Sequence, residues 1–165
     1  MSRDGPLDRQ SGKALRLNEE FLMKDDNSIR YEQLVPEVVK ALRKVNPAID
    51  AVGLDRPLHH LVVLRASQIN GCGYCVKMHT REARADGETN ERLDRLVVWQ
   101  HVDDYSARER TALAFAEALT RLDDQARLAG LRADLRQHFS EQEVAALGAD
   151  IAMINLWNRI AISSH

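Results

Sequence analysis

Cysteine is scarce in this chain of 165 residues, which holds two, Cys72 and Cys75. That scarcity excludes the disulfide framework that staples small extracellular domains, and a bridge between these two would close too short a loop to stabilise much. Charge of one sign is also lacking. A net charge of -2 gives no electrostatic footing on phosphate backbones, so nucleic acid is not an expected partner. Long apolar runs are missing as well: no window approaches the roughly 18 to 20 residues of a membrane helix, and the N-terminus is polar where a signal peptide is apolar. These absences predict a cytoplasmic protein with no membrane partner. Period-two alternation is missing too, so a β-sheet has no strands to build from.

What is present reads as helix. Residues 1 to 28 mix charge, Gly and Pro around a short apolar patch at Phe21, Leu22 and Met23, and are expected to form an N-terminal extension, with one domain from 29 to 165. Leu34, Val38, Val39 and Leu42 recur at helical spacing from Tyr31, in a segment that continues or restarts near Pro47. Asp55 as N-cap and Pro57 in the first turn open a helix whose apolar residues cover most of its circumference, as in a helix buried on several sides. Gly71 ends it, and a second helix runs from the cysteines to Gly87. Thr89 caps "NERLDRLVVWQ". Capping boxes at Ser106 with Glu109 and Ser140 with Glu143 start two further helices, with a short amphipathic piece, "GLRADLRQHF", between them. The expected fold class is all-α.

Chemistry concentrates in "SQINGCGYCVKMHTREARADGE", residues 67 to 88. At about 100° per residue, Cys72, Cys75 and His79 fall within one arc of about 60° on a helix. The pair stands at the helix start, where free amide hydrogens favour a thiolate. His79 is one turn beyond Cys75, in reach of its proton. A thiolate made this way can attack a peroxide oxygen and become a sulfenic acid, which a neighbouring thiol converts to a disulfide. An external thiol or dithiol reductant must then reset the pair.

Two other readings of the same residues stand beside this one. Both cysteines could be inert interior residues, with His79 hydrogen-bonded inside the fold. Alternatively, Cys72, Cys75 and His79 could ligate zinc with His59, His60 or His101 as the fourth ligand. A thioredoxin-like use of C-x-x-C needs strands that are missing. Ser106 and Ser140 are explained as caps, without a nucleophile elbow around either. Glu117 and the pair Asp103 and Asp104 read as solvated or capping. Trp99 and Trp157 read as core or subunit-interface residues, and the apolar face of Met153, Leu156 and Ile160 as core or interface.

Taken together, "LVVLRASQINGCGYCVKMHTREARADGET", "RLDRLVVWQ" and "SARERTALAFAEALT" resemble the alkylhydroperoxidase D-like family of the carboxymuconolactone decarboxylase superfamily, most strongly over residues 54 to 120. The resemblance implies an all-helical homo-oligomer, commonly a trimer or hexamer, that reduces a hydroperoxide without cofactor or metal. It implies Cys75 as the attacking cysteine, Cys72 as the resolving one open to the reductant, and His79 in the proton relay. Peroxidase members carry a glutamate twelve residues before the first cysteine. Here that position is His60, which the resemblance places in the relay in altered form, because a histidine accepts a proton less completely than a carboxylate at neutral pH and when charged stabilises a thiolate instead. Tyr74 stands between the cysteines where the best-known members have histidine.

Overall fold

A computed structural model describes residues 28–122 and 124–164; the N-terminal extension and its Phe21, Leu22, Met23 patch lie outside the described residues, save Ser28. Three short helices come first: α1 (Tyr31–Leu34), α2 (Pro36–Arg43) and α3 (Val45–Asp50). Sequence periodicity suggested longer helix here. The break between α1 and α2 falls at Val35, at φ -134° and ψ 55°, because the ring of Pro36 disfavours helical backbone in the residue before it.

Helix α4 (Arg56–Asn70) is the centre of the molecule. The Asp55 carboxylate accepts the Leu58 amide at 2.9 Å, fixing its start as expected. Leu58 and Val62 pack toward the later helices α7 (Ala107–Arg121), α8 (Gln125–Leu135) and α9 (Glu141–Ser163). Leu61 and Leu64 pack on Ala83, Leu96 and Trp99, while Val63 and Ala66 meet Ile154. Each such fully buried aliphatic side chain contributes about 1.5–3 kcal/mol relative to exposure. A helix enclosed by apolar neighbours on three sides has no free polar face, which is why the hydrophobic positions of α4 run round its circumference.

Gly71 caps α4 at φ 69° and ψ 23°, a left-handed conformation that costs a residue with a Cβ. The chain reverses there within two residues, and α5 (Gly73–Ala85) returns along α4. Next, α6 (Asn90–Arg95) is capped by Thr89, whose hydroxyl accepts the Arg92 amide at 3.3 Å. Its expected continuation to Gln100 is instead a 3-10 segment, Leu96–His101. Three residues per turn puts Leu96 and Trp99 on one side, and both are buried while Val97 and Val98 are exposed.

Both capping boxes form, at Ser106 with Glu109 and at Ser140 with Glu143. The piece read as "GLRADLRQHF" begins earlier, at Gln125, because the Asp124 carboxylate accepts the Arg127 amide at 3.1 Å. Among the described residues there is no strand, and the fold is the expected all-α class. No helix among them is long and apolar enough to cross a membrane.

Two polar clusters in this interior are paired. Asn70, at the end of α4, donates to Asn155 Oδ1 at 2.9 Å and Asn158 Oδ1 at 2.8 Å, and Asn158 donates to Ser67 Oγ at 3.1 Å. These amides pin α9 against the turn that precedes Cys72. Glu117, read from sequence as solvated or capping, is buried. Its carboxylate accepts from Arg65 at 2.7 Å, Trp99 Nε1 at 2.9 Å and Arg121 at 3.1 Å. Burial pushes its pKa up, but the Trp99 and Arg65 donors outweigh that and hold it below the ordinary glutamate value. Asp103 is exposed, in keeping with a solvated role, whereas Asp104 is half-buried, pairs with Arg95 at 3.0 Å and keeps its Oδ2 out of solvent.

Candidate active site

Cys72 is not inside α5. It is the N-cap, at φ -77° and ψ 92°, and its Sγ accepts the Cys75 amide at 3.3 Å. A sulfur in that position takes the place of the Ser or Asp oxygen that usually satisfies a free first-turn N–H. Cys75, in the first turn, is joined to Cys72 by a disulfide with Cα atoms 5.3 Å apart. Both residues are 2% exposed, so Cys72 is not the open member of the pair that the family resemblance implied. The two differ in another way: Cys75 lines a cavity of about 720 Å³ and Cys72 does not.

That cavity lies between α5, α9, the start of α4 and the α1–α2 region. Val63, Met78, Met153, Ile154, Trp157 and Ile160 give it an apolar wall. Trp157, Met153 and Ile160, read as core or interface, are half-buried and line this open pocket. Its polar lining includes His79, Glu82, His59 and Asp150, with Arg30 and Arg43 from the α1–α2 region.

His79 sits one turn after Cys75 and is 8% exposed. Its Nδ1 is 3.1 Å from Glu82 Oε2. An ionised carboxylate only accepts, so Nδ1 carries the proton and Nε2 keeps its lone pair. Nε2 is buried with no hydrogen-bond partner among the described residues. Burial lowers the His79 pKa, and the nearby His59 and His60 lower it further against the pull of Glu82. An imidazole with a bare nitrogen on the same cavity as a cysteine has the chemistry to accept a proton there.

From sequence, His59 was read only as a possible zinc ligand, and Asp150 was not singled out. His59 Nδ1 is 2.7 Å from Asp150 Oδ2, which joins α4 to α9 across the cavity wall. Burial pushes the His59 pKa down, but the Asp150 hydrogen bond and charge more than offset it, and the net shift is upward. Glu82 could have been found: it is three residues after His79, on the same helical face. Asp150 carried no such signal, being 91 residues from its partner.

His60, expected in the relay, is buried but does not line the cavity. Its Nε2 is 2.7 Å from Asp86 Oδ2, the C-cap residue of α5, and Arg56 donates to the same oxygen at 2.8 and 2.6 Å. These contacts hold the Asp86 carboxyl below its usual range, the His60 bond first and Arg56 second. The zinc alternative needed one cluster of cysteines and histidines. His101 is exposed at the end of the 3-10 segment, the sulfurs are bonded to each other, and no group of three or more such ligands stands together among the described residues.

Comparison with known proteins agrees with this architecture. The model of the carboxymuconolactone decarboxylase family matches residues 36–118. An uncharacterized protein of Bacillus subtilis, YdfG, is 33% identical over 135 residues, spanning 82% of this chain and 92% of its own. A crystal structure from Agrobacterium tumefaciens, of a protein of unknown function assigned provisionally to antioxidant defence as an AhpD, superposes with a TM-score of 0.79 at 35% identity. That match covers 84% of this chain and 94% of the other. The debrominase Bmp8 shares the fold at a TM-score of 0.72 and 23% identity, over 96% and 88% of the two chains. With the family match, the YdfG identity and the AhpD-like fold in agreement, the chain belongs to the carboxymuconolactone decarboxylase family.

Proposed function

We propose that the protein is a thiol peroxidase that reduces organic hydroperoxides through Cys75 and Cys72. The observation that carries this reading is Cys75 at the wall of an apolar cavity, bonded to Cys72 and followed by a histidine with an unpartnered Nε2. In the reduced protein, His79 Nε2 takes the Cys75 thiol proton as the sulfur attacks the outer oxygen of R–O–O–H. The O–O bond breaks, Cys75 becomes S–OH and the substrate leaves as R–OH once protonated. Cys72 then attacks the Cys75 sulfur; hydroxide leaves and is protonated to water, and the disulfide forms. An external dithiol supplies the two electrons and two protons that restore both thiols.

The amide contact at Cys72 supports its resolving role. A sulfur that accepts a first-turn N–H is a better thiolate, and so a better nucleophile at this step and a better leaving group when the disulfide is opened. His60 has a different part in this reading. Bonded to Asp86 and away from the cavity, it is a positioning residue that clamps the start of α4 to the end of α5. Exposed apolar residues such as Leu34, Val38, Val97 and Val98 support assembly into a homo-oligomer, and a cysteine pair that cycles between thiols and disulfide supports a cytoplasmic setting.

The test is stoichiometric. Fully reduced protein is mixed with one equivalent of cumene hydroperoxide, and free thiols and alcohol are counted. The reading requires loss of both thiols and formation of one equivalent of the alcohol. Hydroperoxide that survives with both thiols intact removes it.

A further inference from the structure

We infer that His59, held by Asp150, is a second catalytic residue of the cavity: the acid that protonates the oxygen leaving from the cleaved O–O bond. The inference rests on the peroxidase reading above and assigns a proton that reading leaves unassigned. Thiolate attack on R–O–O–H releases an alkoxide, a strong base. Inside an apolar wall it needs a donor at once. His79 does not serve at this moment, because its free nitrogen is the site that receives the thiol proton.

His59 fits the requirement on three counts. It lines the same cavity as Cys75 and His79. Its Nδ1 is committed to Asp150 at 2.7 Å, so the nitrogen left for chemistry is Nε2, which carries a proton when the ring is cationic. Asp150 is itself 6% exposed on the largely apolar α9, a position that is costly for a carboxylate without a cation beside it. The charged groups acting on His59 come from several elements: Asp150 on α9 and Asp50 at the end of α3 favour the imidazolium, while Arg56 on α4 opposes it. The cavity thus holds one imidazole whose proton affinity burial lowers and another whose proton affinity a carboxylate raises. Two groups with opposed proton affinities divide base and acid work between them.

Balance is complete in one turn. The Cys75 proton goes to His79 and the His59 proton goes to R–O⁻, giving R–OH and Cys75 S–OH. The proton on His79 returns through water to His59. Asp150 acts through His59 and is a positioning residue.

The experiment compares His59→Gln, Asp150→Asn and the unaltered chain, each reduced, in rapid mixing with three oxidants or electrophiles. These are cumene hydroperoxide, peracetic acid and iodoacetamide. Cumene hydroperoxide leaves as an alkoxide, peracetic acid as a stable acetate, and iodoacetamide as iodide, so only the first needs the acid. The expected result for His59→Gln is a loss of about 100-fold with cumene hydroperoxide. With peracetic acid and iodoacetamide the change is within about threefold, because Cys75 and His79 are intact. Asp150→Asn follows the same pattern with a smaller loss. Equal losses with all three reagents mean a structural role and overturn the inference, as does no loss with any. If the unaltered chain alkylates with iodoacetamide but ignores both peroxides, the peroxidase reading itself has failed and this inference falls with it.

Discussion

His59 and His60 are consecutive residues with ring centroids 5.5 Å apart, and each holds an aspartate oxygen at 2.7 Å. One lies on the cavity with Cys75; the other lies behind it, closing the α4–α5 hairpin onto Asp86 and Arg56. A rotation of about 100° along α4 accounts for the separation. The comparison extends to the carboxylates. Glu117 satisfies three donors and has no part in the cavity, whereas Glu82 orients His79 from the cavity wall and leaves it a free nitrogen. Residue type is shared across the two regions, while His59 and Glu82 on the cavity side are half-buried and His60 and Glu117 are buried. What distinguishes the reactive one is an unspent donor or acceptor next to a space large enough for a substrate.

The largest expected effect is on the paired side. Glu117→Ala strands the buried Arg65 guanidinium and the Trp99 N–H, and urea denaturation should show a loss of about 3–5 kcal/mol. On the cavity side, His79→Gln should keep the fold and slow alkylation of Cys75 by iodoacetamide about 100-fold at neutral pH. Glu82→Gln tests orientation alone. It should slow the same reaction about tenfold, since an amide can still meet Nδ1 but no longer dictates which nitrogen is protonated. Equal effects of Glu82→Gln on stability and reactivity would erase the distinction drawn between the two carboxylates.

The smallest effect is in pH dependence, and its sign differs between the two cavity histidines. His59 has a folded pKa above its ordinary value of about 6.5, so its stabilisation is full below that value and is lost as pH rises through the folded pKa. His79 has a folded pKa below that value, so its contribution is full above about 6.5 and is lost as pH falls through the lowered pKa. NMR titration should place the two midpoints on opposite sides of 6.5, and Asp150→Asn should bring the His59 midpoint down. The stability gap between the unaltered chain and Asp150→Asn should then be wider in acid than in alkali.

Local signals were legible and long-range ones were not. The N-caps Asp55, Thr89, Ser106 and Ser140 could be read because cap and first turn lie within a few residues of each other. That Cys75 and His79 face the same side of one helix was legible for the same reason. Glu117 was misread because its partner Arg65 is 52 residues away, and a charged residue on an amphipathic helix reads as solvated until that partner is placed. Asp150 was invisible on the same ground. Which of two adjacent histidines faces the cavity depends on the rotation of α4 within its neighbours, and an apolar circumference leaves that rotation unmarked in the sequence.

The central claim is that Cys75, and not Cys72, is the sulfur that meets the substrate. Single-thiol proteins decide it: Cys72→Ser and Cys75→Ser, each reduced, treated with cumene hydroperoxide and a sulfenic-acid trap, with the rate of trapping followed by mass spectrometry. The account predicts rapid trapping on Cys75 in Cys72→Ser and none above the free-cysteine rate in Cys75→Ser. Trapping on Cys72 at a rate equal to or greater than on Cys75 contradicts it.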